Sequence, residues 1–456
     1  MTSAPLDGVT ITFPEGVYAD VRLERTATCD VEERDGELQD VRRRTEAGAL
    51  LRVSRGGRWY YASTTDLTTL DAQLADLAEL ARSGALGGGP EATPPKAYTD
   101  RVLRFEAERL DREPLAEKLA AMRAPLDLLE RESVRTWTAR WTDTYRLRRF
   151  VSSEGADITH DFQICGCRYS FSMADGDETF SESFGRGATS LAALNAGADA
   201  ERAAMADLLE RCERFVAEAK PIDPGEYPVI LAPKVAGVFA HESFGHKSEA
   251  DFMLGDPSMM ESWKIGMQVG SDVLSIVDDG GIDGSGYVPY DDEGQPAQRT
   301  YLIKDGKLTG RLHSQTTALA LGEAHTGNAR ALSFRFEPIV RMTTTTVEPG
   351  AMSREALFAG VKDGFYVETF KHGSGMSRFT IAPTLSWRIR DGQIAEPVRI
   401  AMISGTVFET LGEIDGVSDA SEVKVMSFGG CGKGEQYPLN VSFGGPYVRV
   451  ARMEVS

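Results

Sequence analysis

The run His241-Glu242-Ser243-Phe244-Gly245-His246 constrains the fold of this chain more than any other stretch. The segment before it, Val235 to Ala240, carries Val and Phe residues that would bury one helix face, and Pro233 suits the first turn of that helix. Two imidazoles can hold one divalent cation, and a carboxylate beside the first can take a proton from a water that the cation activates. That chemistry requires the two rings to meet. Histidines four positions apart stack on one helix face, but His241 and His246 are five apart. A straight helix would turn them roughly 140° away from each other. Either the helix ends or bulges near Gly245, or the string is a pair of core or capping histidines. Two imidazoles beside a carboxylate are costly to bury without a partner, which favours the metal reading.

At 456 residues the chain is too long for one ordinary core, so at least two domains are expected. No apolar run approaches the length of a membrane span. Met1 to Gly16 lacks a basic start and an apolar stretch, so no secretory signal is expected there. A formal net charge of -19 gives no attraction toward nucleic acid or anionic lipid. The five cysteines, Cys29, Cys165, Cys167, Cys212 and Cys431, are scattered and odd in number. A disulfide framework is not expected, and a reducing cytoplasm fits. Cys165 and Cys167 would share one face of a strand as structural residues.

The pattern of elements predicts an α+β fold in both halves, with a β-rich second half. Val21 and Leu23 alternate with Arg22 and Glu24, the period of a half-buried strand, and Asp35-Gly36 and Gly56-Gly57 signal hairpin turns. A helix is expected after Asp66 as N-cap, with Leu70, Leu74, Leu77 and Ala81 on one face. Gly84 to Pro95 reads as a linker, and Pro114 to Ala124 as a second helix. Thr136–Phe150, Asp161–Phe171 and Thr179–Arg186 alternate as strands, and Ser190 to Val216 reads as one long helix. Ala217 to Pro228 is the clearest boundary, dividing an N-terminal domain 1–219 (with 1–85 and 100–219 as possible modules) from a C-terminal domain 220–456. Beyond it lie a strand at Tyr227–Ala232, hairpins around Asp305-Gly306 and Asp391-Gly392, and a last strand with a change of phase at Ala451 that predicts a bulge. The charged runs Glu32–Arg34 and Arg42–Arg44 read as a solvated strand face.

Catalytic zinc usually takes three protein ligands and leaves a fourth position for water. Two residues could complete the pair of histidines. Glu249 lies three positions after His246, and Cys431 sits in Gly429-Gly430-Cys431-Gly432-Lys433-Gly434, where glycines let the backbone approach an ion closely.

The histidine string followed by Glu249 and Asp251, together with Gly430-Cys431-Gly432-Lys433 and Gly444-Gly445-Pro446, resembles the TldD/PmbA family, and specifically its TldD-type subunit. Ser153-Glu154-Gly155, Asp291-Asp292-Glu293-Gly294, Thr326-Gly327-Asn328 and Arg341-Met342-Thr343 match as well, so the resemblance runs from about Tyr18 to the end. It implies a metalloprotease with one zinc ion per subunit held by His241, His246 and Cys431, and Glu242 as catalytic acid/base. Glu249 then becomes a supporting carboxylate behind the ligands. The resemblance also implies unfolded or short peptide substrates and a two-fold dimer, formed with a second copy or with a TldE/PmbA-type subunit. Ser243-Phe244 and His372-Gly373-Ser374-Gly375-Met376 depart from the family pattern and bear on the substrate channel. His313, His325 and His372 are the candidates for an oxyanion donor. The competing readings are a peptide-binding subunit that needs a partner chain, and a zinc amidohydrolase acting on small amides.

Overall fold

The computed structural model describes residues 6–84, 96–375 and 377–456. The linker expected at Gly84–Pro95 lies outside them apart from Gly84. The first half is built on one seven-stranded sheet. Strand Tyr18–Arg34 runs antiparallel between Glu37–Arg55 and Val134–Ser152, and Asp157–Asp175 and Glu178–Ala188 continue the sheet. The turns that join these strands follow from local chemistry. Asp35 and Gly36 have φ of 47° and 84°, Asp305 and Gly306 49° and 73°, and Asp391 and Gly392 46° and 79°. Positive φ at both central residues is what a type I′ hairpin turn demands, and Asp-Gly meets it at low cost.

Helix Leu70–Ser83 covers one face of this sheet through Leu70, Leu74, Leu77 and Ala81. Its first turn is preceded by Thr69 rather than by the expected cap, Asp66. The Asp66 carboxylate instead accepts hydrogen bonds from the Thr68 N–H and hydroxyl, closing a turn of its own. The long helix expected over Ser190–Val216 is two, Leu191–Ala196 and Ala198–Glu218. They meet at Gly197, the residue whose backbone loses most freedom in a helix. Cys165 and Cys167 lie buried in the core beneath the second of these helices.

The first strand needs a correction. Val21 and Leu23 face the core as the alternation predicts, but Arg22 and Glu24 are each 2% exposed rather than solvated. Their face is covered by the turn at Asp291–Gly294, through ion pairs, and by the segment 331–336, through its carbonyls. Arg52 meets Asp20 with two hydrogen bonds of 2.8 Å and Glu293 with one of 2.9 Å. Arg148 meets Glu24 at 2.8 Å and Asp292 at 2.6 Å. Arg22 donates to the carbonyls of Ser333 and Phe336. A period-two pattern reports which side chains are apolar, not what later packs on the polar side.

The second half holds a ten-stranded and a six-stranded sheet. Strand Gly225–Leu231 lies inside the larger one between Val448–Val455 and Asp363–Val367. The last strand shifts register between Val450 and Met453, as the phase change at Ala451 predicts. Helix Pro233–Ala240 leaves the end of Gly225–Leu231 and packs on Ser442–Gly445 and Thr344–Val347 of the smaller sheet. It is buried on nearly every side, and the approach is close: a Cβ at Gly237 would lie 2.5 Å from the Gly444 nitrogen. The fold is α+β with a β-rich second half, and among the described residues no helix is long and apolar enough to cross a membrane.

Candidate metal centre

The helix that begins at Pro233 gives way at His241 to one π-helical turn, His241–Gly245, followed by a 3-10 turn, His246–Ser248. The His246 N–H donates to the His241 carbonyl, a bond spanning five residues instead of four. The wider turn cancels the rotation that five-residue spacing imposes on a straight helix, and single π turns of this kind recur at functional sites. The two imidazole rings consequently stand 4.9 Å apart, centre to centre, at 78°. Gly245 gives the Met342 side chain room against this turn, since a Cβ there would lie 2.2 Å from the Met342 sulfur.

Cys431 arrives from a separate two-stranded hairpin, Gly430–Lys433 with Gln436–Asn440. Its Sγ lies 3.1 Å from His241 Nε2 and 3.3 Å from His246 Nε2. The hairpin is anchored by Arg341, which donates to the carbonyls of Cys431 (2.9 Å) and Gln436 (3.2 Å). Glu249 stands behind His246, its Oε2 3.2 Å from Nδ1. The imidazole Nδ1–H is thereby engaged and Nε2 is left facing Cys431, an arrangement typical of metal-binding histidines. Lys433 closes the back of the site at 3.1 Å from Glu249 and 2.6 Å from Asp251.

The electrostatics follow from depth. His241 is 2% exposed, and burial, with the charges of His246 and Arg341, holds its pKa well below the ordinary imidazole value. Burial works against charge on His246 too, but hydrogen bonds to Cys431 and Glu249 more than offset it and hold its pKa up to about 10. A cation bound here competes with that proton. Glu249 is fully buried; burial raises its pKa, yet His246 and Lys433 bring it below the usual carboxylate range. Glu242, half-buried beside the cluster, has its carboxyl pushed up by burial. Strand Phe370–Gly375 lies against it at the edge of the ten-stranded sheet. A Cβ at Gly373 would sit 3.1 Å from Glu242 Cγ, and one at Gly375 would sit 2.4 Å from the Glu242 carbonyl oxygen. The glycines of that run therefore allow the strand to close on Glu242.

The structure brings His241, His246 and Cys431 into one cluster, with Glu242 and Glu249 adjoining it. It does not bring all the other histidines there. His313 is buried and satisfied by Thr317 and Glu323. His325 stands elsewhere, with Nε2 3.5 Å from Glu293 and 3.8 Å from Asp291. Those two carboxylates already accept from backbone N–H groups and, at Glu293, from Arg52. His372 is exposed on the strand that covers Glu242. Lys433 and Arg341 are the supporting residues for which sequence reasoning found no role. Each acts on a segment remote in the chain, so no local pattern marks them.

Residues 224–456 match the family described as PmbA/TldA metallopeptidase C-terminal domain, and residues 19–85 match PmbA/TldA metallopeptidase domain 1. A metalloprotease of Synechocystis sp. is 32% identical, over 97% of this chain and 97% of its own length. A zinc metalloprotease TldD homolog of Saccharolobus solfataricus is 36% identical over 53% of this chain and 55% of its own. The crystal structure of TldE from Thermococcus kodakarensis has the same fold, with a TM-score of 0.75 at 17% identity over 96% of each chain. The chain belongs to the PmbA/TldD family, and it is a metallopeptidase.

Proposed function

We propose that this metallopeptidase uses zinc, that His241, His246 and Cys431 hold one ion, and that Glu242 is the group that moves the proton. The observation that carries this reading is the approach of the Cys431 sulfur to 3.1 and 3.3 Å from two Nε2 atoms in a buried site. Two imidazoles and a thiolate are a donor set that suits zinc and leaves a fourth position open. When bound, zinc supplies Lewis acidity, lowering the pKa of water to about 7 and polarising a carbonyl. The protein's own groups do the rest. His241, kept neutral by burial, presents a lone pair. Glu249 accepts a hydrogen bond from the His246 Nδ1–H and so aims Nε2. Glu242 accepts a proton from the attacking water and returns it to the leaving amine, and a carboxyl whose pKa burial raises suits both steps.

Short or unfolded peptides are the substrates this reading favours, because His241 and Cys431 are buried and a strand covers Glu242. The stretch His372–Gly375, which continues into Met376 outside the described residues, would line their path. The likeness to TldE supports a paired assembly, with a second copy or a TldE/PmbA-type subunit as the partner. Five free cysteines agree with a reducing, cytoplasmic setting. The division into 1–219 and 220–456 belongs to the same reading, since the largest apolar core is drawn from residues beyond 228.

Removal of metal tests the reading. Cleavage of an unstructured peptide should cease after exhaustive chelation and return with one equivalent of zinc per chain. Undiminished cleavage after chelation, or zinc binding with no cleavage of any unfolded peptide, would count against it. Glu249→Gln keeps the shape of the residue but removes its charge, and it is expected to weaken zinc affinity about 10–100-fold, measured by competition with a chromogenic chelator.

A further inference from the structure

The hairpin that carries Cys431 is entered through Gly429-Gly430, residues whose backbones are the freest a chain can contain. A fixed point just ahead of them is needed if the sulfur is to reach one place, and Phe428 supplies it from the other half of the molecule. Gly166 and Gly187 face each other on the neighbouring strands Asp157–Asp175 and Glu178–Ala188 of the N-terminal sheet, and Phe428 lies against both. A Cβ on Gly187 would stand 2.6 Å from the Phe428 Cβ, and one on Gly166 would stand 3.0 Å from its ring. A side chain at either position would press on Phe428, so the paired glycines form a slot for it. Ser427 ties the same spot, its hydroxyl donating to the Gly187 carbonyl at 2.8 Å. Its carbonyl accepts from the Ser285 N–H at 3.0 Å, and the Gly429 N–H donates to the Ser285 hydroxyl oxygen at 3.2 Å. A second line of contacts runs from the same sheet to the other strand of the hairpin. Arg22, Arg146 and Arg148 donate to carbonyls of the segment 331–336, and the Leu332 N–H of that segment donates to Gln436 Oε1 at 2.8 Å.

We propose that the N-terminal sheet positions the third metal ligand, with Phe428 as the positioning residue. Seated in the slot between Gly166 and Gly187, Phe428 sets the point from which Gly429-Gly430 deliver Cys431 to the imidazoles. The inference rests on the reading of Cys431 as a ligand. Arg341 holds the carbonyls of Cys431 and Gln436, beyond the two glycines, and so leaves the entering strand to Phe428. Bonds from a metal to nitrogen and sulfur, about 2.0–2.3 Å long for zinc, tolerate little displacement of a donor, and a ligand whose support is loose binds less well. All three ligand positions lie in the second half of the chain, yet the place of the third is fixed by the first half.

Titration of the metal-free full chain with cobalt(II) tests this. Cobalt binds the same nitrogen and sulfur donors as zinc, and a coordinated thiolate gives it a near-ultraviolet charge-transfer band that imidazoles and carboxylates do not. The native chain should bind one cobalt ion with this band. Phe428→Ala should bind cobalt about tenfold more weakly, the order expected when a ligand loses its support, and should show a weaker band per bound ion. Phe428→Leu, which keeps apolar bulk over the glycines, should recover most of both. Gly187→Ala closes the slot from the sheet side and should act as Phe428→Ala does. The two combined should cost no more than Phe428→Ala alone, because they remove the same contact. If Phe428→Ala fails to fold, Gly187→Ala carries the test. Affinity and band that stay at native strength in both variants would overturn the positioning role and leave Cys431 a ligand. A native chain without the band would overturn the ligand assignment itself, and the positioning role with it.

Discussion

Glu242→Gln is expected to keep its full complement of zinc and to lose peptide cleavage by about 10²–10⁴-fold, the usual contribution of a positioned acid/base. The separation of binding from chemistry is the informative part. Glu242 is not within the group of ligating atoms formed by His241, His246 and Cys431. It follows His241 on the π turn and is half-buried there, so it reaches the same space without filling a ligand position. Glutamine preserves its volume and its fit beneath Gly373 and Gly375, so the strand that covers it has no reason to move. What is lost is the capacity to take and return a proton. Metal analysis beside a peptide-cleavage assay reads both quantities on one sample, and a variant that retains full cleavage would remove Glu242 from the mechanism.

Cys431→Ala carries the second large effect. In the proposed site the thiolate is one of three donors, and its removal is expected to lower zinc affinity by more than the roughly 10–100-fold that loss of a supporting partner costs. Cleavage at limiting zinc should fall with occupancy. The hairpin that carries Cys431 should survive the change, because Arg341 grips its backbone through the carbonyls of residues 431 and 436 rather than through the sulfur. Loss of metal in a folded variant then reports on the ligand alone. The zinc-dependent rise in melting temperature, present in the native chain and absent in the variant, is the corresponding stability readout.

How far the sequence reveals this site depends on the range of each interaction. The π turn is written locally. Histidines five apart can meet only if the helix ends or bulges near Gly245, and the i+5 bond from His246 to His241 supplies the bulge. The Asp-Gly turns and the alternating strands are equally local and stand where their residues predict. Cys431 is different. It lies 185 positions beyond His246, and spacing alone leaves it level with Glu249 as a third donor, so the family resemblance had to choose between them. The structure brings the sulfur to the imidazoles and leaves Glu249 behind His246. Lys433, which meets Glu249 and Asp251, and Arg341, which fixes the cysteine hairpin, are beyond sequence reasoning for the same cause. So is the buried polar face of the first strand, since nothing near Arg22 or Glu24 announces that Asp292 and Arg148 will cover them. Gly373 and Gly375 show the intermediate case. A glycine-rich run signals close approach, but not that the approaching group is Glu242.

The most direct test of the metal-centre account is to incubate the zinc-loaded chain and its Cys431→Ala variant with a mixed library of unfolded peptides and to read the products by mass, with bound zinc measured on both. The account predicts cleavage products and one zinc per chain for the native protein, and neither for the variant. Cleavage that persists in a variant without zinc, or a native chain that holds zinc and cuts nothing, would contradict it.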